Sequence, residues 1–461
     1  MAHKTGWTLA LLALSQLITS LDFFIVYVAL PDIGRDLGFS AQTLQWVASA
    51  YAVAYGGFLL LGGRAADLFG HRRMFVAALA LFALASLAGG LAESQAVLVA
   101  ARAVQGLGGA FVFPATLALV NTRFEEGAAR NRALGVWSGA GASGLALGAL
   151  LGGLLTGAWG WEAVFYVNVP LTAVAIAGAY ALIPADGPRA RGRRFDLPGA
   201  VLATAGVSLV AFVLIQGPES GWGAPPIVAA MGLALVLLAA FVVAERRGAD
   251  PLMPPALLGN RSLRSAVAVI LVFGATFNAL PYFLTVYFQD VLGYGAVTTG
   301  LAFLVPSLLI ALGTQLGGRL AGRAGMRATL LIGMAGGAAG TTLLAFGVSA
   351  GGSYWGVLPG IVVMGVGQGL TWTGMWIAAA TGVAAGEQGV ASGLASTALQ
   401  VGSALGLAVL VAAGGLGEAS GTALAGGLRT AVLVAAAGMV LGAALTLTFA
   451  RKAAIPEPVP A

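Results

Sequence analysis

The chain has 461 residues, a formal net charge of +6 and no cysteine; 59% of its residues are hydrophobic and only 9% are charged. Soluble domains carry about 25% charged residues, so this composition excludes a water-facing globular surface, while the lack of cysteine excludes disulfides and thiolate metal sites. The two histidines, His3 and His71, cannot build a His-rich metal site between them.

In chain order, apolar stretches long enough to cross about 30 Å of hydrocarbon fall at 6–30, 43–63, 74–92, 96–120, 132–156, 163–183, 198–216, 225–244, 263–288, 297–318, 328–347, 354–380, 389–413 and 428–449, which predicts fourteen spans. The first is too long for a signal-peptide core and has no small-residue cleavage pattern before Pro31, where the next polar stretch begins, so it reads as a retained span. With the N-terminus placed inside, twenty of the 23 basic residues lie on the inner side. Arg35 and Arg429 lie outside and Arg102 lies within a span. Such a bias sets orientation and predicts an inner-membrane protein with both termini cytoplasmic. It also accounts for the positive charge through anionic lipid headgroups, with no need of nucleic acid. Trp159, Trp161, Trp222 and Trp355 sit near outer ends of spans and read as interfacial anchors. The 70 glycines suit helices that approach closely in lipid.

An internal repeat organises these spans. A shift of 255 residues aligns Leu37–Arg72 with Leu292–Arg327 without a gap, matching Gly38 with Gly293, Gly62 with Gly317, Gly63 with Gly318, Arg64 with Arg319, Gly70 with Gly325 and Arg72 with Arg327. The shift equals eight predicted spans, an even number, so both copies share one orientation. The expected architecture is all-α and integral to the membrane. It comprises an N-terminal six-helix bundle (1–183), a basic Pro/Gly-rich cytoplasmic linker (184–197), a two-helix insertion (198–244), a C-terminal six-helix bundle (245–450) and a cytoplasmic tail (451–461). Two halves in one chain make a monomer sufficient.

Charge inside the membrane points to a site. Of seventeen acidic residues only Asp22 falls well within a span, and of the basic ones only Arg102. Asp22 precedes Pro31 by nine residues, about 13 Å at 1.5 Å per residue; Arg102 is about 9 Å into a span that enters from the same side. A charge near the bilayer centre costs about 2.5–3.5 kcal/mol on insertion scales, so such residues pair or face aqueous cavities. Burial and a neighbouring cation act on a carboxyl's proton affinity in opposite senses, which leaves two readings open: a proton-binding switch, or a fixed ion pair joining two helices. Gly139–Gly144 matches a dinucleotide fingerprint, but no strand precedes it and it lies inside a long apolar span. The two lysines, Lys4 and Lys452, follow no phosphate loop, and no nucleophile-base constellation appears. Neither ATP hydrolysis nor any other enzyme activity is expected, and a gradient rather than a cofactor must supply the energy.

Several motifs resemble the major facilitator superfamily. The loop Gly63-Arg64-Ala65-Ala66-Asp67-Leu68-Phe69-Gly70-His71-Arg72-Arg73 resembles the signature between its second and third helices. Ala101–Gly109 is similar to its fourth-helix motif, and Gly144–Gly153 to the antiporter motif of its fifth. Leu21-Asp22 through Pro31 and the run Phe165–Pro170 (FYVNVP) resemble the branch of fourteen-span drug:proton antiporters. The sequence departs from that branch at Phe24 and Tyr27, and from the antiporter motif at Ala149.

The resemblance implies a proton-coupled exporter of small amphipathic compounds such as drugs or antibiotics, cations included, with Asp22 and Arg102 coupling proton movement. It further implies a cytoplasmic latch at Gly63, Arg64, Asp67, Gly70, Arg72 and Arg73, and a packing helix at Gly144, Gly148, Gly152 and Gly153. The second copy has Gly322 where the first has Asp67, so one half alone can supply that carboxylate. By the same resemblance the polar and aromatic residues Gln16, Thr19, Gln45, Tyr51, Gln105, Asn278, Tyr282, Gln368, Trp372, Trp376 and Gln400 face a central cavity, where Asp22 would be the one carboxylate available to a cation. The other open reading is a carrier of the same fold for a lipid, sugar or metabolite, proton-driven or not.

Overall fold

The computed structural model describes residues 2–39, 41–187, 196–247, 257, 259–415 and 421–449. The long helices are α1 (Ala2–Asp36), α2 (Trp46–Phe69), α3 (His71–Gly90), α4 (Gln95–Arg123), α5 (Ala128–Trp159), α6 (Asn168–Leu182), α7 (Leu197–Ser220), α8 (Pro225–Arg247), α9 (Arg261–Thr276), α10 (Leu304–Ala324), α11 (Met326–Gly347), α12 (Tyr354–Ala380), α13 (Gln388–Gly414) and α14 (Gly421–Thr446). Twelve helices among the described residues are long and apolar enough to cross a membrane. The other two, α5 and α7, contribute shorter apolar stretches, Leu150–Trp159 and Pro198–Leu214.

Three expectations at helix ends are corrected. Pro31 does not end the first helix; α1 runs through it to Asp36, and the Arg35 side chain forms an ion pair with Asp32. Arg429, expected outside the last span, lies two turns inside α14 with its guanidinium 5.3 Å from the Phe346 ring centre. Trp159, Trp222 and Trp355 are exposed, but Trp161 is only 3% exposed and donates its indole N–H to Asp36 at 3.1 Å. Most of the basic linker lies outside the described residues.

The helices pack as two groups. In the first, α1 lies against α5 and α6, and α2 and α3 against α4; in the second, α9 lies against α13, α10 and α11 against α12, and α11 against α14. The groups meet where α2 crosses α13 and α5 crosses α10, while α7 pairs with α8 and covers the α2–α13 seam. The repeat is visible in the backbone itself: Gly38 and Gly293 have φ of +66° and +69°, and Gly70 and Gly325 have φ of +101° and +86°. A side chain is disfavoured in that region, and in both copies the second glycine ends one helix and starts the next.

Close crossings follow from small residues. A Cβ at Gly62 would collide with the Ala110 carbonyl and one at Gly106 with the Tyr51 carbonyl, which sets α2 against α4. Because lipid provides no hydrophobic drive between helices, backbone-to-backbone contact of this kind supplies the packing energy.

Candidate functional site

Ser94 starts α4 by accepting the Val97 N–H, and helical spacing then places Arg102 and Gln105 on one face. That face meets Asp22 of α1, and all three residues are buried, at 1%, 0% and 0% exposure. Arg102 Nη1 donates to Asp22 Oδ2 at 3.0 Å and to Gln105 Oε1 at 2.6 Å, and its Nε donates to the Val47 carbonyl of α2 at 2.9 Å. Gln105 Nε2 donates to Asp22 Oδ1 at 2.7 Å and to Ser86 Oγ of α3 at 2.7 Å. Asn168 Nδ2 donates to the same Asp22 oxygen at 2.7 Å. Asn168 opens α6, and Pro170 sits in the first turn, where its missing N–H costs nothing. One carboxylate thus ties α1 to α4 and α6, and its partners reach α2 and α3. Tyr51 closes the network, its ring centre 4.4 Å from the Arg102 guanidinium carbon.

A cavity of about 310 Å³ lies between the two helix groups. The first group contributes Gln16, Thr19 and Ser20, with the aromatic rings of Phe23, Phe24, Tyr51, Tyr55 and Phe113. The second contributes Asn278, Gln368, Trp372, Gln400 and Ser403. Asn278 reaches it because α9 stops at Thr276 and the helix resumes at Leu280, with Pro281 in the new first turn; proline can neither donate to nor fit within a continuous helix there.

Of the residues expected around this cavity, Gln16, Thr19, Tyr51, Asn278, Gln368, Trp372 and Gln400 line it. Gln105 instead belongs to the buried Asp22 network. Trp376 is fully buried beneath the wall, its ring 5.7 Å from Trp372 and 6.1 Å from Trp137. Tyr282 is 46% exposed beyond the helix break, and Gln45 lies at the start of α2, outside the lining. Asp22, expected to be available to a cationic guest, does not line the cavity. A larger hollow of about 600 Å³ lies between α5 and α10 among the exposed arginines Arg132, Arg319 and Arg323, away from the buried network.

At the arginine-rich end, Asp67 reaches across the seam. Its Oδ1 accepts the Gly389 N–H at 2.9 Å and its Oδ2 accepts the Val390 N–H at 2.9 Å, so the carboxylate caps the first turn of α13, where free N–H groups and the helix dipole favour an anion. His71 Nε2 lies 3.1 Å from the same Oδ1. A Cβ at Gly63 would strike the Gly389 carbonyl, which explains a glycine there. Arg64 is buried. Gly70, Arg72 and Arg73 serve another contact: Asp186 accepts the Arg72 and Arg73 backbone N–H groups at 3.0 and 2.8 Å and caps α3, occupying the space of a Gly70 Cβ. Asp186, Asn168 and Ser86 were missed as partners, because a polar residue near a helix end or inside a span gives no sequence sign of what it will meet.

Along α5, a Cβ at Gly144, Gly148 or Gly152 would press on Ser20, Phe24 or Ile25 of α1, whereas one at Gly153 would meet nothing within 4 Å. The first three therefore set the α1–α5 contact and Gly153 does not. The Ala149 side chain lies outside the described residues.

Residues 12–407 match the family model of the Major Facilitator Superfamily. Over 410 residues the chain is 39% identical to the puromycin resistance protein pur8 of Streptomyces alboniger, covering 88% of this chain and 81% of that one. Over 435 residues it is 39% identical to the cephamycin export protein CmcT of Amycolatopsis lactamdurans, covering 92% and 89%. The crystal structure of the human organic anion transporter MFSD10 (TETRAN) has a similar fold, with a TM-score of 0.72 at 16% identity, covering 96% of this chain and 99% of that one.

Proposed function

Since the chain belongs to the major facilitator superfamily, we propose that it exports small amphipathic compounds, antibiotics among them, in exchange for protons by alternating access. It is a membrane transporter and not an enzyme. The reading assigns it to the fourteen-span drug:proton antiporters, with α5 and α7 crossing the membrane beside the other twelve helices. The reading takes residues 1–183 and 245–450 as the two bundles and residues 198–244 as the inserted helix pair. The N-terminus is taken as inside an inner membrane, so the Asp67 seam is cytoplasmic and its closure corresponds to an outward-facing state. A monomer in the bilayer suffices, and the proton gradient replaces any cofactor.

One observation carries the reading: a fully buried carboxylate whose hydrogen bonds tie α1 to α4 and α6 and stand next to the cavity wall. Protonating Asp22 removes its charge, so the bonds from Arg102, Gln105 and Asn168 weaken together and Arg102 is left without its counter-charge. The helices that Asp22 joins then rearrange more readily, and in this scheme that change opens the Asp67 seam. The names of the relatives, which resist or export antibiotics, support the class of cargo. In proteoliposomes under an imposed pH gradient, substrate-driven proton movement is expected for the wild type and absent in Asp22→Asn. Full coupling in that variant removes the proton role, and transport indifferent to the gradient removes antiport.

A further inference from the structure

The lining of the cavity carries information about the charge of its guest. No Asp, Glu, Lys or Arg lines it among the described residues; its polar groups are carboxamides, hydroxyls and the Trp372 indole. Gln16 is almost fully buried at the cavity wall, and its Nε2 donates to Ser20 Oγ at 3.2 Å. Groups of this kind meet a guest through hydrogen bonds and not through charge. Asn278 and Gln400 offer further amides on the opposite helix group.

Aromatic walls can hold a cation over a ring face, but one of these rings already serves a cation. Tyr51 has the Arg102 guanidinium 4.4 Å from its centre. A cationic guest on that wall would sit behind one aromatic ring from a buried arginine, with Asp22 fully engaged by Arg102, Gln105 and Asn168. An ion transferred there would give up part of its hydration without gaining a counter-charge.

Resting on the export reading above, we infer that the cargo of this cavity is an uncharged, ring-containing compound that presents hydrogen-bond donors and acceptors, and that a fixed positive charge on the same ring system excludes it. Proton and cargo then occupy separate places: the proton on Asp22, the cargo on the far side of Tyr51 and Phe23.

Acridone and 10-methylacridinium share one tricyclic frame; acridone is neutral with a ring N–H and a carbonyl, and 10-methylacridinium carries a fixed charge and neither group. The pair probes both parts of the inference, and Gln-to-Glu variants isolate charge, for the full chain in lipid nanodiscs by equilibrium dialysis. Acridone is expected to bind at least about tenfold more tightly than 10-methylacridinium, and Gln400→Leu is expected to weaken it about tenfold. Gln400→Glu, or Gln16→Glu if the first variant misfolds, is expected to tighten 10-methylacridinium by about tenfold or more. Equal or tighter binding of the cation by the wild type overturns the inference, as does saturable binding of neither probe. Gradient-driven transport in proteoliposomes keeps the two ideas apart. Acridone that binds in a Gln400-dependent way without being transported overturns the export reading alone, whereas proton-driven transport of 10-methylacridinium overturns the inference and leaves that reading intact.

Discussion

Replacing Asp67 by alanine tests the seam at the arginine-rich end most directly. The carboxylate holds two backbone N–H groups of α13, each at 2.9 Å, and its side chain is fully buried at the contact. Hydrogen bonds to a charged group contribute about 1.5–3 kcal/mol each. Opening the seam lets water replace part of both bonds, so a net loss of about 2–3 kcal/mol is a fair allowance. At 1.4 kcal/mol per factor of ten, that shifts the equilibrium between the closed and open seam by about 30- to 150-fold toward open. Because the chain has no cysteine, spin labels can be attached at Arg73→Cys and Ala385→Cys without background, and both positions are exposed. Double electron–electron resonance should give a short distance for the parent and a dominant longer one for Asp67→Ala. Asp67→Asn, which keeps an acceptor but loses the charge, should fall between them. An unchanged distance distribution in Asp67→Ala would refute the argument that this cap holds the two helix groups together.

Other expectations concern the buried network and the α1–α5 contact. Asn168→Leu removes one donor to Asp22 and places an apolar side chain beside a buried carboxylate; it should lower proton-coupled transport in proteoliposomes by at least about tenfold. Arg102→Lys keeps the charge but loses the planar fork that serves Asp22, Gln105 and Val47 at once; a similar loss of coupling is expected, with normal yield of folded protein in size-exclusion chromatography. Gly144→Ala must push α1 away, because the new methyl would press on Ser20 and Leu21; overpacking of that kind costs about 1–3 kcal/mol and should lower Tm in a thermal-shift assay. Gly153→Ala, with open space at the same helix, should leave Tm within error, and equal effects of the two substitutions would show that close packing is not what the glycines provide.

Much of this molecule was legible in the chain because the bilayer imposes simple rules. A helix must be long and apolar to satisfy its backbone in hydrocarbon, so the helices lie near the predicted stretches, and a lone Asp and a lone Arg at similar depth on the first and fourth helices marked a site by their cost, which calls for a partner or an aqueous cavity. The internal repeat was equally readable, and its paired glycines recur with the same left-handed backbone. Helix ends were less so: Pro31 and Arg429 looked like boundaries, but proline is accommodated within α1, and Arg429 rests its guanidinium near an aromatic ring.

What the sequence by itself determined was therefore the solvent, the repeat and the two buried charges, since each follows from the composition of a local stretch. Only the tertiary structure decided which polar residues share a place. Gln105 and Trp376 read just like Gln368 and Trp372, yet the first two are buried beside Asp22 and beneath the wall while the others face the cavity. The reason is geometric: a polar side chain on an apolar helix must find a partner or a cavity, and which one it finds depends on the rotation of that helix against its neighbours. Close glycine contacts such as Gly106 on the Tyr51 carbonyl set that rotation, and they join residues distant in the chain.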